Sequence, residues 1–228
     1  GYGEALGHFI AEDGCTLPER AALTAALSAW ARDPTDDPLM PARAELLQTM
    51  IRNELPAGFH RVVHPHKDFS LTAAAYQTRV PLTVHPGIGY DIICNNPAAN
   101  GATLGRGADT DYRTFAHSVM QLDGGVFLSV GSAIMAPQVF EKATSFANNL
   151  RRQQGLGPIQ PFILVNDLAA IEWDWRKSEP PQDNPAYYLR FCKSFSRMGG
   201  EMVYAGGDNK VLLTNLWAGL RDGTAYDR

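Results

Sequence analysis

The chain has 228 residues, of which 45% are hydrophobic and 19% charged, enough for one large or two small globular domains with a sizeable core. A formal charge of -4 with 20 basic residues scattered along the sequence argues against nucleic-acid binding, which needs a cationic face. No apolar run of about 18 residues is present to span a membrane. The 3 cysteines, Cys15, Cys94 and Cys192, fit neither a disulfide framework nor a metal-binding pair, so a reducing, cytoplasmic setting is expected.

The first residues, "GYGEALGHFIAEDG", lack the basic and apolar regions of a signal peptide. They read as if already inside a helix, which suggests the later part of a longer protein. Thr16 and Glu19 fit a capping box with Pro18 in the first turn, ahead of Ala22, Leu23, Ala26, Leu27 and Trp30 at helical spacing. After the breaker "DPTDDP" a second helix is expected from about Pro41 to Glu54. Residues 1–58 thus read as a helical segment suited to a cap or an oligomer contact.

From residue 59 short apolar runs alternate with helical patterns. The order is "HRVVH", a helix through Leu71 to Tyr76, "VPLTVH", a helix through Tyr112 to Met120, "GVFLSVG" and a helix from Gln138 to Leu150. It continues with "PFILVN", a helix near Pro185 to Ser196, "EMVYAGG" and a helix from Val211 to Leu220. Strict alternation implies right-handed crossovers and a parallel sheet with helices on both faces. The expected class is α/β, as one domain over residues 59–228. Two breaker-rich stretches, "NNPAANGATLGRGADTD" and "DWRKSEPPQDNP", read as long loops, either functional or plain surface insertions.

In open parallel sheets ligands collect outside the carboxyl ends of the strands. Three strands end in corners of one character: "VHPGIGYD", "SVGSAIMAP" and "YAGGDN". Gly87, Gly89, Gly131, Gly206 and Gly207 let main chain approach a ligand, while Asp91, Ser132, Asp208 and Asn209 supply polar groups. A fourth strand ends in Val165-Asn166-Asp167. Glycine is also what such turns demand, so each corner alone says little. Neither a dinucleotide fingerprint nor a Walker loop is present. His60, His64 and His66 lack a third ligand at useful spacing, and no metal site is expected. Glu172, Trp173, Asp174 and Trp175 combine indoles with carboxylates, which suits an organic cation or, equally, a covered interface.

The series "VPLTVHPGIGYDII", "DGGVFLSVGSAIMAPQV", "FILVND", "RFCKSF", "MVYAGGDNKVLL" resembles the deoxyhypusine synthase family, in particular its divergent bacterial members, over roughly Ser70 to Leu220. The resemblance implies a Rossmann-like parallel sheet, an NAD-dependent transferase and a tetrameric homo-oligomer. It also implies an amine donor such as a polyamine and a protein lysine as acceptor. In that family an imine passes from the amine to an enzyme lysine, and Lys193 in "FCK" falls on that position. Asp91 matches the aspartate that holds the polyamine, and Gly131 and Ser132 fall in the family's triple-glycine turn. Gly206, Gly207 and Asp208 form the corner that contacts the cofactor, with Gly87, Gly89, Asn166 and Asp167 as further cofactor-binding candidates. Two departures stand out: Ala136-Pro137-Gln138 replaces the segment with the family's active-site histidine, and the early pyrophosphate-binding units are not recognisable. On its helix Lys193 lies about 100° from Cys192 of the apolar stripe, where an exposed lysine is ordinary. A binding protein on the same scaffold, without covalent chemistry, is the alternative.

Overall fold

The computed structural model describes residues 1–132, 134–171, 173–174 and 179–223, with the side chains of residues 190–192 left aside. The chain divides into two compact units, Gly1–Thr114 and Phe115–Arg228. Among the described residues no helix is long and apolar enough to cross a membrane.

In the first unit α1 (Tyr2–Ala11) packs against α4 (Leu71–Thr78). Gly3 and Gly7, one turn apart, are both buried. A Cβ on Gly3 would lie 2.0 Å from the Leu82 carbonyl oxygen, and one on Gly7 2.4 Å from that of Thr72. Only glycine permits so close a backbone approach. β1 (Gly14–Leu17) pairs antiparallel with β2 (Gly58–Arg61), Thr16 opposite Phe59. Thr16 is therefore a strand residue, and "HRVVH" enters a hairpin-like pair, not the parallel sheet. α2 (Arg20–Arg32) starts after Glu19 without a side-chain cap. Its Arg20 guanidinium instead donates to the carbonyls of Met50 and Leu55, both at 2.9 Å, which ties it to the end of α3 (Met40–Arg52).

Two further expectations are corrected here. Val80 to His85 form no strand: Pro81 has no amide proton for a ladder, and the Val84 amide donates to the carboxylate of Asp111 at 2.9 Å. The stretch read as a loop before Tyr112 is largely helix, since α5 spans Gly101–Met120. Asn100 Oδ1 accepts from the Ala102 and Thr103 amides at its start. Glu45 of α3 holds the Arg106 guanidinium through two bonds of 2.9 and 2.7 Å. A cap and a tertiary ion pair outweigh the poor helix propensity of Gly101, Gly105 and Gly107.

The second unit runs β3 (Val126–Val130), α6 (Met135–Gln153), β4 (Phe162–Asp167), α7 (Arg190–Ser196), β5 (Glu201–Gly206) and α8 (Asn209–Asp222), with a 3₁₀ turn at Pro185–Tyr188 before α7. The three strands are parallel in the order β3-β4-β5, so the protein is α/β, in an arrangement compatible with a Rossmann-like fold. Register aligns Phe127, Ile163 and Met202 across the sheet. There Phe127 packs on Phe140 of α6 with ring centroids 4.0 Å apart, and Phe195 of α7 closes the cluster 5.5 and 5.6 Å from them. Phe140 and Phe195 are wholly buried. On the opposite face α8 packs on β4, while Val126 and Leu128 of β3 stay 59% and 38% exposed.

Candidate site at the carboxyl rim of the parallel sheet

Parallel register carries the ends of all three strands to one rim: Val130 lies opposite Asn166, Asn166 opposite Ala205, and Asp167 opposite Gly206. Gly131, Ser132, Asn166, Asp167, Gly206, Gly207 and Asp208 therefore gather there. The first turns of α6 and α8 start at the same rim; Asp208 caps α8, and Ser132, two residues before the α6 N-cap Ile134, reaches an amide of the first turn of α6. Ser132 Oγ accepts from the Ala136 amide at 3.0 Å, and Asp208 accepts from Lys210 and Val211 at 2.8 and 3.3 Å. Helix N-termini facing outward make the rim favourable to anionic groups.

Asn166 is 3% exposed. Its Nδ2 donates to the carbonyls of Ala205 and Gly207 at 2.7 and 3.3 Å, which fixes the amide's orientation and leaves Oδ1 buried without a donor. Asn209 Oδ1 is buried and undonated as well. Its Nδ2 lies 2.6 Å from where a Cβ on Gly131 would stand, and Gly131 has a positive φ of 70, so only glycine suits that corner. Gly206 and Gly207 are different. A Cβ at either would meet nothing nearer than 3.5 and 3.9 Å, so packing does not demand glycine and the space beside them stays open. Buried acceptors are almost always satisfied; two orphans at one rim fit a guest with N–H donors, such as a carboxamide or an aminopurine.

Lys193 stands in a separate cluster. Its Nζ donates to the Tyr187 hydroxyl at 2.5 Å, sits 4.0 Å from the Tyr187 ring centre and lies 3.5 Å from Glu179. The Tyr187 hydroxyl, aided by Glu179, raises the lysine above its ordinary pKa, and Lys193 lowers that of the phenol. The amine is thus held as an ammonium. Its described partners are these two residues and none of the rim.

Gly87, Gly89 and Asp91 belong to the first unit and do not follow a strand. The Gly87 amide donates to the Asp91 carboxylate, and the Asp91 amide returns to the Gly87 carbonyl at 3.1 Å, closing a turn. A Cβ on Gly87 would run into the Tyr90 ring, and Gly89 has a φ of 100, so the turn itself accounts for both glycines. Trp173 and Asp174 follow β4 in the second unit; Glu172 and Trp175 lie outside the described residues. His60 Nε2 bonds to the Pro56 carbonyl at 2.7 Å, and among the described residues no three His, Cys, Asp or Glu could hold a metal ion. Sequence reasoning missed Tyr187, Glu179 and Asp111, whose partners lie too far along the chain, or on the wrong kind of element, for spacing to reveal them.

Comparison of the chain with protein-family models, curated proteins and solved structures gave no match.

Proposed function

We propose that the protein is an NAD-dependent transferase of the deoxyhypusine synthase type, acting on a polyamine or related amine in the cytoplasm through an imine at Lys193. The orphaned, buried Oδ1 of Asn166 carries the reading, because it calls for a donor-bearing ligand at the rim where a dinucleotide would lie. Gly206 and Gly207 admit its backbone approach, the α6 and α8 first turns favour its phosphates, and Asn166 with Asn209 accepts its N–H groups. Bound there, NAD would take hydride from the carbon next to the substrate amine. Glu172, Trp173 and Asp174, which follow β4 in the sequence, are residue types suited to the charged ends of the amine; Asp91, which the resemblance assigns to the polyamine, belongs to the first unit.

Lys193 must lose its proton before it can displace the donor amine. Glu179, whose carboxylate lies 3.5 Å from the Lys193 amine, is the group able to receive it. The final acceptor would be a protein lysine. Exposed apolar side chains on α8, with Trp217 at 59% and Leu220 at 75%, support a homo-oligomer.

One observation favours a second reading, a nucleotide- or metabolite-binding protein without covalent chemistry. An amine locked between Tyr187 and Glu179 is charged and not nucleophilic. Incubation with NAD and spermidine separates the two. The first reading expects NADH absorbance, a borohydride-reducible adduct on Lys193, and NADH without adduct in Lys193→Ala. Thermal stabilisation by NAD with no NADH would favour the second.

A further inference from the structure

Next to the strand ends the second unit holds a cavity that the rim residues themselves do not line. We propose that it seats one base of the bound dinucleotide, a flat heterocycle whose edge carries an N–H₂ donor beside an acceptor; the inference rests on the nucleotide reading of the rim. The cavity, of about 370 Å³, is lined by Ala169, Ala170, Ile171, Asn184 and Ala186 among others, within the range of small-molecule pockets. It continues the rim along the chain, since Ala169 stands two residues after Asp167, the last residue of β4. Ligands of open parallel sheets collect in that position.

Both walls are held in place by the protein's own hydrogen bonds. On one side the Tyr204 hydroxyl is shared between the carbonyls of Asp167 and Ala169 at 2.9 and 2.6 Å, and Asp167 Oδ1 accepts from the Leu168 and Ala169 amides at 2.7 and 3.3 Å. On the other side Asn184 Oδ1 accepts from the Ala186 amide at 2.8 Å. The Tyr187 amide donates to the Asn184 carbonyl at 2.9 Å, and the Leu189 amide to that of Ala186 at 3.2 Å. A slot already ordered spares its ligand the cost of ordering it.

The walls suit a flat ring with a polar edge. Alanine at 169, 170 and 186 leaves space beside the main chain that longer side chains would fill. The main chain of Ala170 and Ile171 makes no hydrogen bond with a described residue, so an N–H donor and a carbonyl acceptor stand together at the wall. Asn184 Nδ2 has no described acceptor either, while its Oδ1 is held by Ala186. Donor and acceptor on neighbouring peptide groups match adenine, with a ring nitrogen beside its amino group, and equally the carboxamide of nicotinamide. The buried acceptors of Asn166 and Asn209 remain for the other base.

The test is titration calorimetry on the full chain with NAD, and with AMP and nicotinamide mononucleotide as single-base probes. Ala170→Phe fills the cavity from an exposed position, which leaves the core untouched. It should weaken NAD by about tenfold or more. One mononucleotide should weaken alike and the other stay unchanged: AMP weakens if adenine occupies the seat, nicotinamide mononucleotide if nicotinamide does. For the seated base the analogue without the N–H₂ group, IMP or nicotinic acid mononucleotide, should bind wild type about tenfold more weakly than its counterpart. That comparison keeps the proposal falsifiable if the variant does not fold. Unchanged NAD affinity in folded Ala170→Phe, analogues that bind as tightly as their counterparts, or no binding of either mononucleotide at about 10 mM would each overturn the seat and leave the nucleotide reading in place. No binding of NAD by wild type would overturn both.

Discussion

Gly7 makes the sharpest stability prediction of any single position. A methyl group there would lie 2.4 Å from the Thr72 carbonyl oxygen and 2.9 Å from the Tyr76 Cβ, neither of which can swing away. Gly7→Ala should therefore cost about 1 to 3 kcal/mol or more in urea unfolding, despite alanine's better helix propensity. His85 gives a second prediction. Burial lowers its pKa from an ordinary 6.5, so the unfolded chain takes up the proton first. The contribution of neutral His85 is complete above about pH 6.5 and is lost as pH falls below it. Unfolding midpoints at successive pH values should decline more steeply in wild type than in His85→Gln across that window. The rim residues were legible as polar and glycine punctuation after apolar runs. Asp111 was not: it is one acidic residue on a helix, and its meaning depends on Gly3, which is 108 residues away in sequence.

The apolar runs that became β3, β4 and β5 were readable because a buried parallel strand leaves a continuous hydrophobic signal. "VPLTVH" carries the same signal and fails as a strand because Pro81 and the Asp111 carboxylate remove its ladder partners, which periodicity cannot detect. The opposite error hid the first half of α5, where three glycines masked a helix fixed by Asn100 and by the Glu45 to Arg106 pair. In the second unit the Phe127, Phe140 and Phe195 cluster locks the sheet to α6 and α7. Phe140→Ala should destabilise this unit by about 3 to 5 kcal/mol in chemical denaturation. Asp208→Ala should cost about 1 kcal/mol through loss of the α8 cap.

The chain as a whole leaves an apolar helix face in water: Leu213, Leu216, Trp217 and Leu220 of α8 are all exposed. A monomer rarely tolerates such a patch, so sedimentation velocity should find an oligomer, and Trp217→Glu with Leu220→Glu should shift it to a smaller species. The proposed chemistry at Lys193 presupposes a nucleotide site at the strand ends, and calorimetric titration of NAD tests that proposal most directly. Gly207→Val is the informative variant, because a Cβ there has only the Asn166 amide as a neighbour, 3.9 Å away, so folding is spared while the open space is filled. The account predicts that wild type binds NAD and that Gly207→Val binds it about tenfold or more weakly with an unchanged melting temperature. No heat of NAD binding by wild type, or equal affinity in the two proteins, would contradict it.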